Sequence, residues 1–118
     1  MHEMSLMENL LRTAGGALQP YRVARVNELQ IRAGILANVL PDAFDFAFET
    51  LSQGTPFAGA RLLVEKAPLI ACCKQCGQTY ESMEIPPQCS RCGSKEAEIT
   101  GGTEVLLTSI DFEEEDER

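Results

Sequence analysis

Two cysteine pairs constrain this chain more than anything else in it. Cys73 and Cys76 form a C-x2-C, twelve residues follow, and Cys89 and Cys92 form a second C-x2-C. Glycine follows each pair, in Cys-Lys-Gln-Cys-Gly and Cys-Ser-Arg-Cys-Gly. Two thiolates separated by two residues reach one ion from a tight turn, and two such turns supply the four soft donors of a tetrahedral site. The glycine lets the backbone turn while its N–H groups aim at sulfur. Such spacing in a chain expected to stay in the cytosol reads as a metal site before a disulfide set. Zinc is the expected structural ion, and iron on the same thiolates is its chemical rival. Four closed cysteines leave no open position for water, so this site catalyses nothing. Cys72 falls outside the pattern, since pairing it with Cys76 gives a spacing of three, and it is read as unligated.

The cysteine segment, 72–100, has few apolar residues of its own (Tyr80, Met83, Ile85, Ile99), so metal must hold it together. The rest of the chain reads as an α+β layer. Met7, Leu10, Leu11, Ala14 and Leu18 fall at helical spacing over 4–18, with Ser5-x-x-Glu8 in the form of a capping box. A strand is predicted over 23–33, where Leu29, Ile31 and Ala33 alternate with polar residues. Pro41 opens a second helix lined by Phe44, Phe48 and Leu51 and stopped by Gly54-Thr55-Pro56. Residues 60–71 read as a second strand with Pro68 at an edge or bulge, and 104–112 as a third. The expected architecture is two helices on one face of a three-stranded, mainly antiparallel sheet, with an inserted four-cysteine zinc-ribbon-like subdomain. The domains implied are 1–71 plus 101–112, the insert 72–100, and an acidic tail, 113–118.

Composition excludes several functions. No run approaches the ~18 to 20 apolar residues of a membrane span, and the start MHEMSLMENL lacks the basic flank and apolar block of a signal peptide. A cytoplasmic protein with no membrane association is expected. The 118 residues carry a formal net charge of −8 and a pI near 4.6, which argues against binding nucleic acid. The charge is uneven: DFEEEDER at the end holds six acids and one arginine, leaving 12 acids and nine basic residues in 1–110. The end is read as a solvated, frayed tail. One histidine excludes multi-histidine metal sites. No Ser/His/Asp constellation and no phosphate-cradling glycine loop is present, so no enzyme activity is expected.

That single histidine is His2. Met1, His2 and Glu3 offer an α-amine, an imidazole and backbone amides within three residues. Amine, deprotonated amide and imidazole Nδ1 form fused chelate rings around one ion, a planar nitrogen set suited to Ni(II) or Cu(II). A fourth donor could come from the Glu3 amide, a carboxylate or water. Asp42, near the start of the second helix, is a conceivable carboxylate donor.

A chain opening Met-His-Glu, then a helix, a strand ending near glycine and a paired C-x2-C insert resembles the HypA/HybF family of nickel metallochaperones. The stretch Val39-Leu40-Pro41-Asp42-Ala43-Phe44-Asp45-Phe46-Ala47-Phe48-Glu49 is similar to that family's second helix. Gly54-Thr55-Pro56, followed by Gly59-Ala60-Arg61-Leu62, resembles its connection into the next strand. The resemblance spans about 1–110. It implies nickel carried as cargo by Met1, His2 and Glu3, with structural zinc on Cys73, Cys76, Cys89 and Cys92. It further implies a HypB-type GTPase and the [NiFe]-hydrogenase large subunit precursor as partners, with urease served in some organisms, and a monomer or homodimer. The rival readings are a zinc-ribbon module binding protein or nucleic acid, which the charge does not encourage, and a small redox protein using C-x2-C.

Overall fold

A computed structural model describes residues 3–115. The order of elements is α1 (Glu3–Leu18), β1 (Val23–Gly34), a single 3-10 turn (Ile35–Ala37), α2 (Pro41–Ser52), β2 (Arg61–Ala67), β3 (Leu69–Cys73), β4 (Thr79–Ser82), β5 (Ala97–Gly101) and β6 (Val105–Glu114). The strands form two three-stranded sheets, ordered β2-β1-β6 and β4-β3-β5. The fold class is the mixed α+β of the sequence reading, with a second sheet that periodicity did not separate from the first.

The chain divides into two compact units. The first comprises Met1–Ile31, Val39–Glu65 and Leu106–Arg118. In it α1 lies against α2, and Met7, Leu10, Ala14 and Leu18 of α1 are buried with Phe44, Ala47 and Phe48 of α2. Each large apolar side chain taken from water contributes about 1.5–3 kcal/mol. The helix α1 begins at Glu3, ahead of Ser5, so Ser5 lies within the helix rather than at its cap. Pro41 occupies the first turn of α2, where its missing N–H costs nothing. That helix stops where Thr55 turns back, donating from both its N–H and Oγ1 to the Ser52 carbonyl. Along β1 and β6, Arg25 pairs with Glu113, Asn27 with Asp111, and Thr108 with Gln30. Partner numbers fall on one strand as they rise on the other, so these strands run antiparallel.

Glu113 and Glu114 therefore belong to a strand, not to a frayed tail. Arg25 holds Glu113 at 2.8 Å and keeps its carboxyl below the usual range, and the Glu115 N–H donates to the Arg22 carbonyl. Residues 116–118 lie outside the described residues.

The second unit comprises Arg32–Asn38 and Lys66–Val105. Its sheet is antiparallel throughout, with β3 central. Leu69, Ala71, Cys73, Tyr80 and Cys89 form its core, with Ile35, Leu36 and Ala97 packed against them. The apolar residues that 72–100 lacks are supplied from upstream, by Leu69 and Ala71 of β3 and by Ile35 and Leu36 of the 3-10 turn. Pro68 sits between β2 and β3: lacking an N–H for the ladder, it ends one strand, and the chain resumes in the other sheet.

Candidate metal centre

Two turns of near-identical construction present the cysteines. In the first, the Gly77 N–H donates to the Cys73 carbonyl (2.9 Å) and the Cys73 N–H to the Gln78 carbonyl (2.9 Å). In the second, the Gly93 N–H donates to the Cys89 carbonyl (2.8 Å) and the Cys89 N–H to the Ser94 carbonyl (2.9 Å). Gly77 and Gly93 adopt φ of 78° and 79°, a left-handed backbone in which glycine carries no Cβ penalty. The residue after each C-x2-C is thus fixed by the turn itself.

The turns bring together Cys73, Cys76, Cys89 and Cys92, whose Sγ atoms all lie within 4.8 Å of one another. Cys73 Sγ is 3.5 Å from Cys92 Sγ, and Cys76 Sγ is 3.7 Å from Cys89 Sγ. A disulfide needs about 2.05 Å. A tetrahedron of sulfurs each ~2.3 Å from zinc has edges of about 3.8 Å, which these contacts approach, so the donor set fits zinc. Cys73 and Cys89, the first of each pair, are buried, while Cys76 and Cys92 are exposed.

The turns also set the thiol acidities. The backbone N–H of Cys76 chiefly holds Cys73 down to about 6, against the opposing effect of burial. The N–H of Cys92 lowers Cys89 in the same way. The Ser94 N–H pulls Cys92 down, but the neighbouring Cys73, Cys89 and Cys76 sulfurs together with burial outweigh it and push Cys92 up to about 11. The turns thus favour the thiolate at Cys73 and Cys89, while Cys92 holds its proton more tightly. Tyr80 is raised by burial and then by the nearby thiolates, Cys89 foremost, so it stays a neutral phenol.

Cys72 is excluded from the cluster by strand alternation. Along β3 Leu69, Ala71 and Cys73 point inward, and Ile70 and Cys72 outward. The Cys72 Sγ lies 3.7 Å from the Gly77 carbonyl. A ligand shifted by one residue would need the whole strand to flip.

Of the second predicted site, Met1 and His2 lie outside the described residues. Glu3 opens α1, and its Oε2 accepts the Leu40 N–H at 3.2 Å. Leu40 is the N-cap of α2 and Asp42 lies in its first turn. No local pattern signals this link, because its partner is a backbone amide 37 positions away.

Residues 1–112 match the profile of a family described as "Hydrogenase/urease nickel incorporation, metallochaperone, hypA". The chain belongs to the HypA family. A hydrogenase maturation factor HypA from Desulfosudis oleivorans is 37% identical over 118 residues, covering 97% of this chain and all of the relative. Another from Albidiferax ferrireducens is 34% identical over 113 residues, covering 96% of this chain and all of that one. The solution structure of the nickel metallochaperone HypA from Helicobacter pylori has the same fold, with a TM-score of 0.69, 22% identity, and coverage of 98% of this chain and all of that one. Among the described residues no helix is long and apolar enough to cross a membrane.

Proposed function

We propose that this chain is a nickel metallochaperone that binds Ni(II) at Met1, His2 and Glu3 and delivers it during maturation of [NiFe]-hydrogenase. The observation that carries the reading is the match to the nickel-incorporation family across residues 1–112, which includes those three donors. Structural zinc on Cys73, Cys76, Cys89 and Cys92 completes the proposal; the sulfur separations support that ion. Zinc there ties two turns that are distant in sequence and supplies no reacting position. The protein acts in the cytoplasm as a carrier rather than an enzyme. Its proposed partners are a HypB-type GTPase and the hydrogenase large subunit precursor, with urease maturation as a second recipient pathway.

A carrier must hold its cargo selectively and let it go. Amine, amide and imidazole nitrogens do both, because protons compete for each of them. Nickel binding should fall as pH drops through the imidazole range near ~6.5. The Glu3–Leu40 hydrogen bond supports a role for Glu3 in holding the start of α1 beside the first turn of α2.

Metal stoichiometry tests the reading on wild type, His2→Ala and a chain extended by one residue before Met1. About one zinc and one separate nickel per chain are expected for wild type. Both altered chains should bind nickel at least about tenfold more weakly with zinc unchanged. Unchanged nickel binding in both would remove the proposed site.

A further inference from the structure

Among the described residues, one buried side-chain nitrogen or oxygen has no hydrogen-bond partner: the hydroxyl of Tyr80. Tyr80 is 8% exposed and is the inward-facing residue of β4, between the exposed Thr79 and Glu81. Ala71 of β3 stands opposite it, so Leu69 and Cys73 are its diagonal neighbours on that strand. Diagonal neighbours lie within reach of an aromatic side chain. The core that holds Tyr80 otherwise consists of leucine, isoleucine and alanine side chains with Cys73 and Cys89. Those two sulfurs are therefore the side-chain acceptors open to the hydroxyl within its own core. A buried hydroxyl without an acceptor costs free energy that a phenylalanine of the same shape avoids.

We propose, resting on the reading of the four cysteines as a zinc site, that the Tyr80 hydroxyl donates a hydrogen bond to the metal-bound sulfur of Cys89. Tyr80 is thereby a positioning residue for the metal centre and not a ligand. A neutral thiol is a weak acceptor, whereas a thiolate on the metal keeps negative charge and accepts strongly. The bond therefore belongs to the loaded site, where charge on the sulfur draws the hydroxyl in. Cys73 and Cys89 are each 2% exposed, while Cys76 and Cys92 are open to solvent. Water can donate to the exposed sulfurs, but the buried pair depends on donors from the protein itself. Of the four thiolates, Cys89 acts most strongly on the phenol, which singles out its sulfur as the acceptor. A donor on the buried side stabilises the thiolate, so protons compete less well with the metal and the ion is held longer.

Tyr80→Phe tests this, because it removes only the oxygen and keeps the ring in the core. Chelator competition on the zinc-loaded chain should show about tenfold weaker retention than wild type. Cobalt in place of zinc gives a readout that packing alone does not move. Without the donor, the sulfur-to-cobalt charge-transfer absorption should shift to longer wavelength. A hydroxyl that stays unpartnered has the opposite sign: its loss raises the unfolding midpoint and leaves zinc retention equal or better. That result overturns the proposal. So does weaker zinc retention with an unchanged cobalt spectrum, which marks Tyr80 as a packing residue only. Wild type and Tyr80→Phe alike in spectrum and in retention, each with about one ion per chain, overturn this inference and leave the zinc site standing. A wild-type chain that takes up neither zinc nor cobalt removes the zinc reading and this inference together.

Discussion

Replacing Gly34 by alanine should damage the metal centre from outside the cysteine segment. A Cβ at Gly34 would lie well inside contact distance of the Gly102 carbonyl oxygen and carbon, and 2.8 Å from the Gly102 Cα. All three obstacles are backbone atoms, so no side chain can swing aside. Gly102 cannot retreat, because it holds φ +118° with its Cα hydrogens against Leu69. The Gly34 N–H donates to the Glu104 carbonyl and the Leu36 N–H to the Gly102 carbonyl, each at 2.8 Å. Opening the contact by about an ångström loses both bonds at about 0.5–1.5 kcal/mol each. Strain adds roughly 1–3 kcal/mol, for a total of about 2–6 kcal/mol. Ile35 and Leu36 pack on the core that contains Cys73 and Cys89, so the loss passes to the metal. Where metal binding and folding are coupled, about 3 kcal/mol is about a hundredfold in zinc retention. Denaturant unfolding of the zinc-loaded chain and competition with a chelator measure the two effects. Gly15→Ala and Gly16→Ala serve as controls, because a Cβ at either meets nothing within 4 Å and should stabilise α1 by ~0.5–1 kcal/mol. A Gly34→Ala chain with unchanged unfolding midpoint and unchanged zinc retention would falsify the reasoning.

Two further outcomes follow from the cluster. Cys72→Ser should bind zinc as wild type does, whereas Cys73→Ser should lose it, measured by metal content after chelator challenge; equal losses would mean that the strand presents the other face. Zinc affinity should rise with pH between about 6 and 9, by about tenfold per unit for each proton displaced. The sign follows from the thiols: Cys73, held down to about 6, is already a thiolate through most of that window, while Cys92, pushed up to about 11, must surrender its proton to the metal. Below about 6 the competition steepens as Cys73 protonates as well. Chelator competition across the range checks this, and a flat profile would contradict the proton distribution derived from the turns.

The metal cluster was legible because its information is local. C-x2-C-Gly specifies a turn, and two such turns need only meet. Helix and strand identities were legible for the same reason, through the periodicity of Met7, Leu10 and Ala14 or of Leu29, Ile31 and Ala33. What failed to show was partnership across distance. Residues 60–71 look like one apolar strand, yet Pro68 divides them between two sheets. The expectation of an insert at 72–100 held together by metal alone left out Leu69 and Ala71 immediately before it and Ile35 and Leu36 from a turn far upstream. Nothing about Gly34 in isolation says that Gly102 will pass against it. The run at 113–115 reads as a solvated acidic end because its composition is extreme, and composition cannot see Arg25 and Arg22 receiving it.

Charge then separates the two units in a way that totals conceal. In Arg32–Asn38 and Lys66–Val105 there are five basic residues and five acidic ones, so the whole −8 belongs to the other unit. Within the cysteine turns, 73–77 and 89–95 carry Lys74, Arg91 and Lys95 and no carboxylate. Four thiolates on one dication leave a net −2, and three cations one to three residues from ligands offset it where it arises. A local charge balance of this kind favours four-thiolate ligation and disfavours loss of the ion. The proposed cargo site is built on opposite terms: nitrogen donors, planar preference, and protonation within the physiological range. Soft tetrahedral sulfur and planar nitrogen select different ions even when both are present, so one short chain with a single histidine can keep zinc while passing nickel on.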